Sequence, residues 1–197
     1  LVDVGETLGR VIRTLSKAFP LSKPLHALSI GSSNEPQFRI LQSVFQGGLY
    51  LLDIDPEALE IVQERPARQR THNVHPIRGD FDKLFLDPQQ TRYFYKYGLS
   101  KNKMELITLQ HSLYYCQKKD WGKFLKNLYR FVLAPRGALY AVLMSAESRA
   151  PSTTTWLYNH FAGRFCSHTN DQDILEFKKE LEQEPYLRGA EIKVRQS

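Results

Sequence analysis

Short apolar runs alternate with amphipathic helical segments along this chain, and this alternation restricts the possible folds more than any other feature. The strand-like runs are residues 25–31, 49–54, 74–78, a stretch beginning at Met104, 138–145 and 190–194. Strands that alternate with helices form βαβ units, whose strands pair parallel to one another and are buried on both faces. We therefore predict an α/β fold with a mainly parallel, twisted sheet of six strands and helices on both faces.

Helix signals lie between these runs. Apolar residues at helical spacing predict a first helix that ends before Pro20, and Asn34, followed by Pro36 and Gln37, predicts the start of a second. Residues 88–97 are rich in aromatic side chains and predict either a helix or a loop. In the clearest amphipathic helix, a predicted cap at Asp120 precedes a buried stripe formed by Trp121, Phe124, Leu125, Leu128, Phe131 and Val132.

Size and composition restrict the number of domains and the compartment. With 197 residues, of which 42% are hydrophobic, the chain can bury one good core, and we expect a single domain over residues 1–197. No apolar run approaches the roughly 20 residues that span a membrane. Cys116 and Cys166 lie in no CxxC or Cys/His ligand spacing, which favours free thiols in a reducing, cytoplasmic compartment. Because the chain begins at Leu1 rather than Met, we expect it to be truncated at one or both ends.

Polar or small residues follow each of the first four strands. In an open parallel sheet, ligands bind beyond the carboxyl ends of the strands, at the point where the strand order reverses. The residues at those ends are Gly31 to Asn34, Asp53, Asp80 with Phe81, and Gln110 with His111. Asp53 follows Gly31 by 22 residues, close to the roughly 20-residue offset at which a carboxylate reaches a ribose hydroxyl. The sequence therefore predicts a nucleoside-bearing ligand at this edge.

Two kinds of phosphate site are disfavoured. A dinucleotide site requires the pattern G-x-G-x-x-G, but Ser33 and Pro36 stand in the places of the second and third glycines after Gly31. The Gly-Lys-Ser/Thr sequence of a phosphate-binding loop does not occur. A ligand that carries an adenosine without phosphates fits better, and S-adenosylmethionine is such a ligand.

Five stretches occur in an order that is typical of one enzyme family. They are LSIGSS, LLDIDPEAL, IRGDF, MELITLQHSLYY and LAPRGALYAVL, between Leu25 and Ser145. In this order they resemble the class I S-adenosylmethionine-dependent methyltransferases, although Ser32 and Ser33 replace the usual glycines and Glu105 replaces an aspartate. The resemblance implies a Rossmann-like sheet of methyltransferase type, S-adenosylmethionine as the cofactor, and methyl transfer to an acceptor.

The same resemblance assigns the methionine and ribose parts of the cofactor to the first two strand ends. It implies that Gly31, Ser32 and Ser33 lie against the methionine part and that Asp53 accepts hydrogen bonds from the ribose hydroxyls. From its position alone, Asp53 is either a ligand residue or a helix cap, but Asp55 is the better-placed cap for the helix that follows.

The resemblance also assigns an adenine site. It implies that Ile54 packs on the adenine, that Asp80 accepts from its amino group, and that Phe81 covers its face. The residues themselves leave a second interpretation open. Ile54 and Phe81 are equally well explained as core residues, and Asp80 as a turn aspartate.

The methyl group is expected beside the fourth strand. The resemblance implies that Gln110 and His111 border it, and His111 is our candidate for a general base, because an imidazole with a pKa near 6.5 suits proton removal near neutrality. A structural, hydrogen-bonded histidine is the alternative. His72 and His75 have no evident third ligand, so we predict no metal.

The acceptor stays open between several classes. We favour a small molecule, with a non-catalytic binding or interaction module of the same fold as one alternative. An RNA or protein methyltransferase is another, since the net charge of +6 and the aromatic residues at 93–97 permit contact with nucleic acid. The oligomeric state is left undetermined by the sequence.

Overall fold

The computed structural model describes residues 2–31, 38–60, 72–145, 148, 151, 153–162 and 173–195. The chain divides into two compact units, Leu1–Val142 and Leu143–Ser197. The first unit carries the sheet and all the predicted site residues that the structure describes. The single-domain interpretation of residues 1–197 stays a prediction.

A five-stranded parallel sheet organises the first unit. Its strands are β1 His26–Ile30, β2 Gly48–Asp53, β3 Val74–Arg78, β4 Met104–Gln110 and β5 Leu133–Val142. They lie in the order β3-β2-β1-β4-β5, and every neighbouring pair is parallel. The order reverses between β1 and β4, which is where an open sheet of this kind leaves a crevice for ligands. The predicted α/β fold is confirmed.

Two helices agree with the predictions: the first ends before Pro20, and the one with the predicted aromatic stripe begins at Trp121. In the first unit the helices are α1 Val2–Ala18, α2 Phe38–Val44, α3 at residues 56–60, α4 Phe81–Leu86, α5 Pro88–Tyr93 and α6 Trp121–Asn127. Single π-helical turns, Phe94–Gly98 and Leu128–Val132, extend α5 and α6, and 3-10 turns occupy Leu113–Tyr115 and Lys118–Asp120. The uncertain segment at 88–97 is therefore helical.

The second unit is helical in its described residues. It contains α7 Thr154–Leu157, which continues as the π-helical turn Tyr158–Ala162, then α8 Ile174–Glu182 and the 3-10 turn Pro185–Leu187. No helix in the described ranges is both long and apolar enough to cross a membrane.

The three central strands of the sheet, β1, β2 and β4, are buried on both faces. On one face, strand residues such as Ala27, Leu49 and Leu106 form a single cluster with Leu8 of α1 and Phe38 of α2. Because strand side chains alternate between faces, the intervening residues point to the opposite face, and they are buried as well.

The helices α4, α5 and α6 hold a second, aromatic cluster. The Phe85 ring meets the rings of Phe94 and Phe124 edge to face, with centroids 5.4 and 5.6 Å apart. Trp121 is fully buried, and its Nε1 donates to the carbonyl of Cys116 at 3.0 Å. We assign these helices to the opposite face of the sheet, the one that α1 and α2 do not cover.

Three local predictions are wrong. Residues 190–195 form no strand: Ile192 and Val194 alternate with charged residues, but a strand also needs a hydrogen-bonded neighbour, and the described sheet gives them none. β5 spans Leu133–Val142 instead of residues 138–145, because Leu133 already pairs with Met104, ahead of a register shift that leads to the pair of Leu106 with Ala138. Asp120 makes no side-chain cap to α6, since its φ of −98° and ψ of −8° lie outside the extended conformation of a capping residue.

Candidate functional site

Three residues form a row across the carboxyl edge of the sheet, at the point where the strand order reverses. The last residue of β1, Ile30, pairs with Leu52 of β2 on one side and with the residue before Gln110 on the other. The residues that come next are Asp53 in β2, Gly31 after β1 and Gln110 in β4, and they lie side by side in that order. The Gly31 amide donates to the Leu52 carbonyl at 2.9 Å. Neighbouring strands are about 4.8 Å apart, so roughly 10 Å separates the outer two backbones.

The two outer side chains of this row share a face of the sheet. Asp53 lies two residues beyond Leu51, and Gln110 lies two residues beyond Thr108. Leu51 and Thr108 both pair with Ser29, so they lie on the same face as each other. Asp53 and Gln110 retain only 7% and 5% of their exposure. A carboxylate and an amide thus flank a glycine, with no side chain between them.

The Asp53 carboxylate is only partly used by the protein. Its Oδ1 accepts from the Asp55 amide at 3.0 Å, and its backbone carbonyl accepts from the Gly79 amide at 2.8 Å. The cap of α3 is Asp55, whose Oδ1 accepts from the Glu57 amide at 3.0 Å, as predicted. Oδ2 of Asp53 accepts no hydrogen bond from the described residues, so this oxygen can receive a ligand hydroxyl.

Two buried polar groups at the end of β4 lack partners. Nε2 of Gln110 and Oγ of Ser112 are buried, and neither has a hydrogen-bond partner among the described residues. Buried polar groups without partners are rare and cost free energy, because the protein has removed them from water without replacing its hydrogen bonds. A ligand with acceptor atoms would restore those bonds. Ser112 was not predicted from the sequence. It lies two residues beyond the end of β4, and polar residues just after strand ends are candidates for ligand binding.

His111 lies between these two groups in an uncommon conformation. Its φ is +55°, a left-handed value that few residues other than glycine adopt, and its amide donates to the Val142 carbonyl at 2.9 Å. The side chain is exposed, and its ring stacks on the Tyr114 ring with centroids 6.3 Å apart. Partial desolvation of the ring lowers the pKa of His111 below the ordinary value of 6.5. The imidazole is thus neutral at pH 7, as a proton acceptor must be.

The residues predicted to bind adenine have different surroundings. Ile54 directly follows Asp53 and is 61% exposed, so its apolar side chain is available to a ligand. Phe81 is buried and meets the Phe124 ring edge to face at 5.8 Å. Asp80 is the cap of α4: its Oδ1 accepts from the Asp82 amide at 3.2 Å, and its Oδ2 lies 3.1 Å from Lys83 Nζ. Asp80 and Phe81 therefore have structural roles, with or without a ligand.

The sheet order and its covering helices match solved structures. The YcgJ protein from Bacillus subtilis matches with a TM-score of 0.58 at 18% identity, over 90% of this chain and 66% of that one. The N-methyltransferase NodS from Bradyrhizobium japonicum WM9 matches with a TM-score of 0.51 at 17% identity, over 72% of this chain and 68% of that one. This chain has the class I methyltransferase fold.

The likeness extends to proteins of greater length. LaPhzM matches this chain with a TM-score of 0.55 at 16% identity, over 90% of this chain and 49% of that one. This chain thus spans about two thirds of the length of the first two structures and half of the third. No protein-family model matches its sequence, and no curated protein does.

The remaining predictions concern the first loop, the cysteines and metal binding. Ser32 and Ser33, together with the predicted cap Asn34, lie outside the described residues. Burial, and to a smaller extent a hydrogen bond with Asp82, raises the pKa of the Cys116 thiol. The reactive thiolate is therefore disfavoured, and Cys116 does not fit the role of a nucleophile. Within the described ranges, no three His, Cys, Asp or Glu side chains are grouped as metal ligands would be.

Proposed function

We propose that this chain binds S-adenosylmethionine across the row formed by Asp53, Gly31 and Gln110, and transfers its methyl group to a small-molecule acceptor. One observation carries the proposal: the end of β4 holds two buried polar groups without partners, Nε2 of Gln110 and Oγ of Ser112. They lie at the point of strand-order reversal where α/β sheets bind ligands.

The residues of the row fit the parts of this cofactor. Asp53 offers Oδ2 as an acceptor to a ribose hydroxyl, and the exposed Ile54 offers an apolar surface for the adenine. Gly31 brings the backbone close to the ligand without a side chain. Ser32 and Ser33 are assigned to the methionine part, as the resemblance implies.

The protein's own contribution to the chemistry is mainly positional. S-adenosylmethionine supplies a methyl group that is already activated by a sulfonium, so the chain has to align the acceptor and exclude water. Nε2 of Gln110 and Oγ of Ser112 can orient an acceptor atom or the cofactor's carboxylate. His111, neutral at pH 7 and exposed beside them, takes the proton from an acceptor that arrives protonated.

Calorimetric titration with S-adenosylhomocysteine tests cofactor binding. We expect wild-type protein to bind it and Asp53→Ala to bind about 10 to 100 times more weakly, as expected for the loss of a hydrogen bond to a carboxylate. Asp87→Ala is the matched control, because Asp87 Oδ1 likewise accepts from the amide two residues on, at 2.6 Å, and caps α5 outside the row. No binding by wild type, or equal losses in both variants, would overturn the proposal.

Turnover distinguishes the proposal from its alternatives. Incubation with S-adenosylmethionine carrying a labelled methyl group, against pools of amines, hydroxylated compounds, RNA and protein, should yield label in a small molecule. Binding without transfer to any pool favours the non-catalytic module, and label in a macromolecule favours the RNA or protein enzyme.

A further inference from the structure

Exposed tyrosine rings and basic side chains share one surface of the first unit, formed by α5, its π-helical turn and the neighbouring turn after α6. We call it the aromatic–cation surface and define it by Arg92, Tyr93, Lys96, Tyr97, Lys103 and Arg130. Except for Arg130, these residues belong to the segment between β3 and β4, which reaches the sheet again at Met104, the first residue of β4. The candidate cofactor row lies at the other end of that strand, which ends at Gln110.

The basic side chains of this surface are not paired with acidic ones in the part of the chain that the structure describes. Residues 88–104 contain four Lys or Arg residues and no Asp or Glu. Among the described residues, none of these cations, nor Arg130, forms an ion pair with a carboxylate. A polyanion would therefore meet a local excess of positive charge.

The aromatic part of the surface consists of two adjacent rings, tilted by 46° to each other, that face solvent. Tyr93 and Tyr97 lie one helical turn apart, with ring centroids 4.6 Å apart, and are 62% and 58% exposed. Lys96 Nζ lies 4.9 Å from the centroid of the Tyr97 ring. A pair of exposed rings flanked by cations offers both a stacking platform and a phosphate contact.

Contacts around Phe131 join the rest of the surface to this pair. The guanidinium groups of Arg92 and Arg130 lie 4.8 and 5.3 Å from the centroid of the Phe131 ring. Lys103 Nζ donates to the Phe131 carbonyl at 2.8 Å and lies 4.8 Å from the centroid of the Tyr95 ring. These contacts hold Arg92, Arg130 and Lys103 in place, and Arg92 directly precedes Tyr93 in the same helix.

We propose that the aromatic–cation surface binds single-stranded nucleic acid. Phosphates would meet Arg92, Lys96 and Arg130, and unstacked bases would stack on Tyr93 and Tyr97, which is the combination that sequence-independent single-strand binding uses. An acidic protein would use the charges but has no need of the rings. A duplex shields its base faces, so only a single strand engages both features. This site is separate from the proposed cofactor row and does not depend on methyl transfer.

Fluorescence anisotropy with short, labelled oligouridylate and oligothymidylate tests the proposal. We expect one or both probes to bind the wild-type chain, more tightly than the corresponding duplex, with an affinity that falls steeply as salt rises. Tyr93→Ala with Tyr97→Ala should weaken binding about tenfold or more, since stacking on one ring contributes roughly a factor of ten. Tyr93→Phe with Tyr97→Phe keeps the rings and should retain binding.

A matched control separates this surface from general charge. Arg92→Glu with Lys96→Glu reverses an exposed Arg and Lys four residues apart on a helix, and Arg13→Glu with Lys17→Glu makes the same change at the same spacing on α1. We expect the first pair to lose binding and to flatten its salt dependence, and the second to keep both. Thermal unfolding of each variant, compared with wild type, shows that these exposed replacements leave the fold intact.

Several results would overturn the proposal. One is the absence of binding to either probe at low salt. Another is an equal loss of affinity in the α1 control pair, which would show that binding depends only on the net charge of the protein. Retained binding after loss of both tyrosine rings would remove the stacking platform. Binding to vesicles of anionic lipid, without binding to the oligonucleotides, would identify a membrane-facing surface instead.

Discussion

Gly31 and Ser112 approach each other so closely that no side chain fits at position 31. A Cβ built on Gly31 would lie 2.6 Å from the Cβ of Ser112, and the Gly31 backbone has a φ of +67°. The contact joins the turn after β1, where the cofactor is proposed to bind, to the loop after β4, where the acceptor is proposed to bind. The two sides of the candidate site can thus approach this closely only because Gly31 has no side chain.

Gly31→Ala should therefore destabilise the protein and weaken S-adenosylhomocysteine binding. The left-handed φ costs roughly 1–2 kcal/mol for a residue with a Cβ, and the collision with Ser112 adds to that. Urea unfolding measures the change in the free energy of unfolding. Gly9→Ala is the control, because it lies inside α1 with open space around it and should gain up to about 1 kcal/mol.

A second variant separates the two causes. Adding Ser112→Gly to Gly31→Ala removes the collision but leaves the unfavourable φ, so it should restore only part of the lost stability. If Gly31→Ala behaves like Gly9→Ala, the close contact does not exist in solution.

The strands and their chain order were predictable because each leaves a local signal. An apolar run ends at a polar residue, and β1, β2 and β3 lie within one or two residues of the predicted bounds. The sequence of 190–194 has the same local alternation as a strand, yet no strand forms there. Pairing depends on a neighbour that is distant in sequence, and alternation carries no information about it.

The candidate site was predictable in position but only partly in function. Asp53 and Gln110 were found because strand ends in a parallel sheet converge on one edge. Ser112 was not predicted because its place in the site depends on contact with Gly31, which lies 81 positions earlier in the sequence. The capping bond of Asp80 and the core packing of Phe81 likewise depend on geometry that a motif does not encode, since a cap and a ligand residue occupy the same place after a strand.

Gln110→Leu should have opposite effects on stability and on ligand binding. The replacement removes a buried amide whose Nε2 has no partner in the described structure, so the free energy of unfolding should stay unchanged or rise by about 1–2 kcal/mol. S-adenosylhomocysteine or acceptor binding should weaken about tenfold or more, because the ligand loses its donor. Urea unfolding and calorimetry on the same preparations measure both. A loss of stability with unchanged binding would mean that Gln110 serves the fold alone.

A buried carboxylate at the opposite edge of the sheet makes stability depend on pH. Glu105, at the start of β4, accepts from Lys23 Nζ and from the His26 amide, both at 2.7 Å. Burial alone would raise its pKa, but the hydrogen bonds from His26 and Lys23 outweigh that effect and lower the pKa to about 2, from 4.5. The folded state therefore favours the ionised carboxylate more strongly than the unfolded state does.

The sign of the effect follows from linkage. The stabilisation by Glu105, roughly 3 kcal/mol, is present above pH 4.5 and is lost as the pH falls from there towards 2. Urea unfolding of wild type and Glu105→Gln at a series of pH values should give a difference that shrinks as the pH falls through this window. The difference between the two proteins removes the contributions of all other carboxylates. A constant difference down to about pH 3 would contradict the lowered pKa.

His111 should titrate below its ordinary value and set the acid limit of methyl transfer. Desolvation of the ring lowers the pKa below 6.5, so the neutral, proton-accepting form is present at pH 7 and is lost only as the pH falls below 6.5. An NMR titration of the ring protons, assigned by comparison with His111→Gln, measures that pKa without any knowledge of the acceptor. Once an acceptor is identified, the replacement should reduce the rate about 10²- to 10⁴-fold and abolish the fall in rate at acid pH, while S-adenosylhomocysteine affinity stays unchanged.

An unchanged rate and an unchanged fall at acid pH in His111→Gln would show that His111 is not the base. Alignment of the acceptor by Gln110 and Ser112 would then be the protein's main contribution to the reaction.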